Sequence, residues 1–435
     1  MNGLVALFPR TAYLKLVRPL PVAGLLLALS LVVSSSAAGR PPGRPEVVLL
    51  TMGPGESLYS RFGHAALMVR WPAAPSLVFN YGYTNFNSPD LVWDFLRGRA
   101  RFWVARARFP STINDYAMQD RTLYYQELKL DPAKQARLAH MLVEGARPEN
   151  RYYVYHHFHD NCSTRLRDLV DRVTEGAVRQ QLVGRPGPDA TLRELVRRGF
   201  AGDVGLLLIV DLLLGRTVDR RLDAWEATFL PRELRGAART IKLPGGAALA
   251  GEPRVLYKRR SPSPFAGRDP HAGLKLYWGL AVLGAALAVC LVLLARRASR
   301  WAGLPLLLLA LIVGLPGLAV WTVMAAATLP ELRLNELALS LWPLDLGLIW
   351  PAVRWLRGRV WVGRLMRGYA LLRVATLGLV LLGHLTGLLI QQPRCWLILG
   401  AGFAMQIFVT TRLLSTSARS SEAVALPEDK NARLR

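Results

Sequence analysis

His156-His157-Phe158-His159-Asp160-Asn161-Cys162-Ser163-Thr164 marks the point where an extended aromatic segment, residues 152–155, gives way to a helical pattern over residues 163–173. Asp160 and Asn161 are residue types that cap helix N-termini, so the boundary is predicted at the cysteine. A thiol at a helix start lies among unpaired backbone N–H groups and the positive end of the macrodipole, both of which favour the thiolate. The same amides are able to hold an oxyanion, which makes Asp160, Asn161 and Ser163 candidates to support chemistry at Cys162. The stretch reads as a reactive thiol carried on a strand-to-helix turn.

Three cysteines occur, Cys162, Cys290 and Cys395, and the last two fall in long apolar stretches. Cys162 is then the one thiol in the polar part of the chain, where it has no disulfide partner; it is either a small buried hydrophobe or a reactive group. A thiol nucleophile needs a base, normally an imidazole. The histidines on offer are His64, His140, His156, His157, His159 and His271. His140 sits in an amphipathic helical pattern and His271 borders an apolar stretch. The spacing of His156, His157 and His159 matches no standard zinc site, and one cysteine is too few for a structural one, so no metal and no cofactor are expected. His64 opens an apolar strand after Arg61-Phe62-Gly63; from the residues alone it reads equally as a presented base or as a satisfied core histidine.

Around this centre the chain has 435 residues, 52% of them hydrophobic, and a formal charge of +25. The basic residues are scattered singly beside apolar blocks, and no nucleic-acid recognition module is present, so the acidic partner read from the charge is a phospholipid surface. Arg10, Lys15 and Arg18 precede an apolar stretch over 20–33, and Ser36-Ala37-Ala38 offers a cleavage site; residues 1–38 read as a secretory segment. Residues 39–272 contain no run long enough to span a bilayer. Five apolar stretches follow, at 274–295, 303–328, 337–353, 369–390 and 395–409, forming an all-α bundle over 273–412. Arg296, Arg297 and Arg300 follow the first stretch, five arginines lie between the third and fourth, and the tail, residues 413–435, is basic and expected to be disordered. The positive-inside rule places these loops and the C-terminus in the cytoplasm, and five spans then put residues 39–272 outside an inner membrane.

In the outer part, strands are expected at 47–51, 64–71 and 77–81 and helices at 131–144, 163–173, 191–198 and 218–230. Together they form an α+β domain with a small antiparallel sheet. The apolar run 204–214 is too short to span and is expected as a core helix. Asp345 falls inside the third apolar stretch, where an ionisable group is costly; it is either functional or a pair with Arg354 or a span-end cap.

Thr51-Met52-Gly53-Pro54-Gly55, Phe62-Gly63-His64-Ala65-Ala66-Leu67, Phe79-Asn80-Tyr81-Gly82, Tyr153-Val154-Tyr155 and Asp160-Asn161-Cys162-Ser163-Thr164-Arg165 resemble, in order and spacing, the Lnb N-terminal periplasmic domain family. The resemblance runs from about Val47 to Val173. It implies a permuted papain-like (NlpC-like) fold in which the histidine precedes the cysteine, followed by an all-α transmembrane bundle of about five helices. By position it makes Cys162 the nucleophile and His64 the base, with Asn80 orienting the imidazole and Tyr81 or Asp160 as substitutes for that third role. Asn335 and Trp342-Pro343-Leu344-Asp345 are similar to the family's membrane half, although Glu331-Leu332-Arg333 stands where a histidine is expected.

The activity implied is lipoprotein N-acylation: a thiol acyltransferase passing an acyl chain from a membrane phospholipid, through a Cys162 thioester, to the N-terminal amine of a lipoprotein. The rivals are a cysteine amidase or peptidase acting on cell-wall peptides and a non-catalytic membrane scaffold.

Overall fold

β1 (Glu46–Met52) reads Glu-Val-Val-Leu-Leu-Thr-Met, an apolar run without alternation, which is the pattern of a strand covered on both faces. It takes that place. In the computed structural model, which describes residues 43–263, 272–297, 299–359, 362–392 and 394–424, nine strands are formed. The others are β2 (His64–Trp71), β3 (Ala74–Tyr83), β4 (Arg101–Arg108), β5 (Leu123–Glu127), β6 (Tyr152–Val154), β7 (Pro186–Thr191), β8 (Arg221–Asp223) and β9 (Arg254–Tyr257). Seven make one sheet in the order β6-β4-β3-β2-β1-β5-β9, every pair antiparallel, while β7 and β8 pair separately. Val47 and Leu49 point to one face of the sheet and Val48, Leu50 and Met52 to the other, each face with its own apolar core.

Nine helices complete this part: α1 (Leu91–Leu96), α2 (Phe109–Met118), α3 (Pro132–Gly145), α4 (Cys162–Val173), α5 (Ala177–Leu182), α6 (Leu192–Phe200), α7 (Val204–Leu213), α8 (Ala224–Ala227) and α9 (Pro231–Thr240). Asp131 caps α3 through the Lys134 N–H at 2.9 Å, with Pro132 in the first turn, and Leu138 and Leu142 go fully into the core. Each such leucine contributes about 2 kcal/mol of burial. α3, α4 and α9 cover one sheet face, and α2 lies over the other.

One expected helix, 218–230, is not formed. Asp223 accepts the Glu226 N–H in a capping box, so no helix extends upstream of it; Arg221–Asp223 pairs as β8, leaving only the short α8, and α9 follows after Pro231. The sheet is also larger than expected, because β4, β5 and β9 are recruited from the polar stretches.

The second half contains α10 (Ala272–Arg296), α11 (Gly303–Ala326), α12 (Pro330–Arg333), α13 (Ile349–Leu356), α14 (Arg364–Leu385) and α15 (Arg394–Val424). Four of these, α10, α11, α14 and α15, are long and apolar enough to cross a membrane. The third expected span is broken: Pro330–Leu339 and Pro343–Leu356 meet at a 43° bend. Pro343 disfavours helical geometry at Trp342 and has no N–H to give. The freed carbonyls find side chains instead. Trp321 Nε1 donates to Ala338 O and Leu341 O at 3.2 Å, and Arg373 Nη2 donates to Ser340 O at 2.7 Å. Irregular backbone at membrane depth is tolerated only when buried and satisfied in this way. Asp345 belongs to the same repair: it pairs with Arg373 at 3.0 Å and accepts from Tyr369 at 2.6 Å, so its partner is not Arg354.

The two halves are joined through buried polar groups. Asp211, in the apolar α7, accepts from Arg193, from Arg197 and from Tyr277 of α10. Asn335 donates to Leu212 O at 2.8 Å and Gln391 to Leu214 O at 3.1 Å. α7 is accordingly a joint: Leu207, Asp211 and Leu212 are buried, while Ile209 is 54% exposed. The expected secretory segment 1–38, His271 and residues 425–435 of the tail lie outside the described residues.

Candidate active site

Gly63 sets the entry to β2. Its φ is +87°, and a Cβ there would meet Met52 O at 2.6 Å, so only glycine lets the chain turn from the 53–63 loop into His64 at the strand's first position. His64 shares a sheet face with Ala66 and Met68, and Asn80 shares it with Val78. His64 Nε2 lies 3.3 Å from Asn80 Oδ1. That contact assigns the Nε2 proton to the amide oxygen and leaves Nδ1 as the free lone pair.

The β2–β3 ladder runs from Trp71↔Ala74 to Leu67↔Phe79 and stops short of Ala65. The N-terminus of α4 enters beside this gap. Cys162 Cβ lies 3.8 Å from where a Gly82 Cβ would stand, Gly82 itself having φ +104°, and the Ala65 backbone N–H is directed at the thiol. Ser163 Oγ is 4.0 Å from Sγ. Cys162 makes no direct hydrogen bond to His64. The thiol and the imidazole stand at the same strand end, on either side of one residue, Ala65.

Protein surrounds both groups even though each keeps some accessible surface. Burial, followed by the nearby Arg121 charge, lowers the His64 pKa to about 4 against the opposing Asn80 contact. Burial also raises the Cys162 thiol pKa, outweighing the Ala65, Ser163 and Cys162 hydrogen bonds that favour the thiolate. At neutral pH the resting pair is therefore thiol and neutral imidazole, not the helix-stabilised thiolate expected from the boundary alone. Asn161 Oδ1 also accepts the Ser163 and Thr164 N–H groups at 2.9 and 3.0 Å, closing the helix cap around the cysteine.

The supporting residues sort accordingly. Asn161 shapes the turn, its Nδ2 donating to His157 O at 2.7 Å and to Phe229 O at 3.0 Å. Ser163 is fully buried beside the sulfur. Asp160 makes a two-pronged ion pair with Arg165 and has no bond to His64. Tyr81 packs with Tyr153 in the core on the sheet face opposite Asn80. Among the three candidates for orienting His64, Asn80 is the one that touches it. His157 is half-buried against Phe62, Phe158 and Phe229, and its pKa falls to about 4 by desolvation and the neighbouring His156.

Arg121 was not expected at all. It is 5% exposed, its Nε donates to Gly53 O at 2.9 Å, its guanidinium lies 4.8 Å from the Tyr116 ring centre, and its Nη2 has no hydrogen-bond partner. It acts electrostatically on both His64 and Cys162. Nothing local marks it: it follows Asp120, a turn residue at φ +49°, and only the sheet brings it to the thiol.

Residues 40–198 match the model of the Lnb N-terminal periplasmic domain. Comparison with curated proteins and with solved structures gives no match. The matched segment ends in α6, so α7 and the apolar helices lie beyond it. With its periplasmic domain and four helices apolar enough to cross a bilayer, the chain is a membrane protein of the cell envelope.

Proposed function

We propose that the protein is a thiol acyltransferase that moves an acyl chain from a phospholipid ester to a lipoprotein N-terminal amine, a reading supported by the match of residues 40–198 to the Lnb N-terminal periplasmic domain. The observation that carries this reading is the arrangement at the open end of β2. Asn80 holds His64 Nε2 at 3.3 Å, and the residue after His64 points its N–H at Cys162 Sγ. The histidine-then-cysteine order on strand and helix supports the reading of a permuted papain-like site.

In the acylation half, His64 Nδ1 takes the Sγ proton as Sγ bonds to the ester carbonyl carbon, and the imidazolium returns that proton to the departing glycerol oxygen. The second half repeats the steps with the amine. Its nitrogen attacks the thioester, its proton passes to His64, and Sγ leaves and is reprotonated. A neutral resting pair suits this concerted transfer, because the thiol and the imidazole carry no charge of their own before substrate arrives. The negative charge that develops on the carbonyl oxygen has the Arg121 guanidinium within electrostatic reach.

A lipid substrate is supported by the surface beside the site. Leu58, Tyr59, Tyr83, Phe86, Val92 and Trp93 are all more than 40% exposed, with Tyr59 stacked on Phe86 at 4.1 Å. Leu96 O, one helix turn on from Trp93, accepts the Thr328 N–H, so this apolar flank adjoins the membrane half. The loops around Thr328 and Gln391 meet the outer domain, and the arginine-rich loops are the alternate ones, which supports five crossings and a cytoplasmic C-terminus.

The test is the full-length protein in vesicles with phospholipid and a diacylglyceryl lipopeptide, read by mass spectrometry. Wild type should yield the N-acyl product and Cys162→Ala none. Product from Cys162→Ala, or cleavage of muropeptides with no acyl transfer by the wild type, would sink the reading.

A further inference from the structure

We infer that His156, His159 and Glu331 bind a divalent first-row cation of the Zn²⁺ class, at the seam between the loop that carries Cys162 and the membrane half. Glu331 Oε1 lies 3.2 Å from His159 Nε2, and Glu331 Oε2 lies 3.6 Å from His156 Nε2. The three ligand atoms all fall within 4.8 Å of one another. Ligand atoms around a tetrahedral zinc at about 2.0–2.1 Å stand roughly 3.4 Å apart, and each imidazole already lies near that distance from one of the two Glu331 oxygens. His159, the exposed member with 60% of its side chain in solvent, is free to close the remaining separation.

A second observation points the same way. Glu331 is 7% exposed, yet its Oε2 has no hydrogen-bond partner, and 3.6 Å is too long for His156 to supply one. The Thr217 hydroxyl is likewise buried and unpartnered. Both residues line one cavity of about 250 Å³, together with His159, Phe158, Arg220 and Glu226. Arg220 makes a two-pronged pair with Glu226, so its charge is already matched and does not oppose a cation. Two imidazoles and one carboxylate select Zn²⁺, Co²⁺ or Ni²⁺ over Mg²⁺ or Ca²⁺, and three protein ligands leave a position open toward the cavity.

Binding changes one tautomer. His156 Nδ1 now accepts the amides of Phe158 and His159, both at 3.3 Å, which puts the ring proton on Nε2. With a cation on Nε2 that proton sits on Nδ1, and two long amide contacts are exchanged for one metal–nitrogen bond. The bound ion ties the segment just before the nucleophile to α12, which makes the order of the Cys162 loop depend on metal.

The inference does not depend on acyl transfer, and its test is a binding measurement on the full-length, untagged protein in detergent. The Cys162→Ala background removes the thiolate as a competing ligand. After chelator treatment, Co²⁺ should add one equivalent with the intense visible bands of a tetrahedral ion, displaced by Zn²⁺, and should raise the melting temperature. His159→Ala and Glu331→Gln should each weaken Co²⁺ by about tenfold or more, whereas Thr217→Val should not. Equal Co²⁺ binding by wild type and His159→Ala, or only the pale spectrum of hexahydrated cobalt, would overturn the site.

Discussion

Arg193 and Arg121 are both buried arginines, and their surroundings are opposite. Every guanidinium nitrogen of Arg193 is used: Nε and Nη2 reach Asp219 at 2.7 and 2.9 Å, Nη1 reaches Asp211, and Nη2 also takes the carbonyls of Leu214 and Gly215. Arg121 keeps one nitrogen with no partner and stands beside a thiol and an imidazole that are both neutral at rest. The Arg193 network is saturated and ties α6 to α7 and to the segment before β8, whereas the Arg121 guanidinium keeps one nitrogen over. Stability and chemistry are thus separable in this chain, and substitutions in the two regions should give different signatures.

The largest effect is expected in the completed network. Asp211→Leu leaves Arg193 and Arg197 buried without their shared carboxylate and should cost about 3–5 kcal/mol, read by thermal or denaturant unfolding of the full chain in detergent. A loss under 1 kcal/mol would mean that the joint is not where the halves are held. His64→Gln should do the reverse. It should lower acyl transfer by roughly 10²–10⁴-fold while changing stability at pH 7.5 by no more than about 1 kcal/mol.

The same variant has a pH signature. His64 and His157 both have folded-state pKa values of about 4, below the unfolded value near 6.5. The unfolded chain therefore takes up protons first as pH falls. Their stabilising contribution is complete above about pH 6.5 and is lost as the pH drops through 4, up to about 3 kcal/mol for each. His64→Gln should flatten the decline, and an unchanged decline would refute the assignment. The smallest effect is at Asn80. Asn80→Ala should cost roughly tenfold to a hundredfold in kcat with little change in KM, because the imidazole is loosened without any loss of substrate contact.

The parts legible in the sequence are those with local causes. β1 to β3 show in apolar runs, and α3, α4 and α6 show in the caps Asp131, Asn161 and Thr191. The helix expected at 218–230 failed because a capping box at Asp223 overrides the periodicity on either side. β4, where Arg101, Arg106 and Arg108 blur the apolar pattern, and β9, which joins β5 from far along the chain, owe their strand form to partners. The thiol was found as a residue type at a turn, His64 was an even choice until the resemblance selected it, and Asn80 came from the resemblance alone. Arg121 and Glu331 were not found, since the sheet delivers the first, and the second lies 172 residues from the histidine it meets. The thiolate expected at the helix start gave way because burial outweighs the amides that favour it.

The gap in the β2–β3 ladder also gives the chain an order of assembly. Its walls, Ala65 and Gly82, are made well before Cys162 in a chain synthesised from its N-terminus, so the recess precedes its occupant. Until α4 docks, the sulfur is an ordinary cysteine on an unfolded segment and His64 is an ordinary histidine. The loop that seats them is pinned by Glu331, and that residue arrives only after two apolar helices have been made. The recess is thus in place before its cysteine, and the contact that holds the cysteine's loop is formed later still.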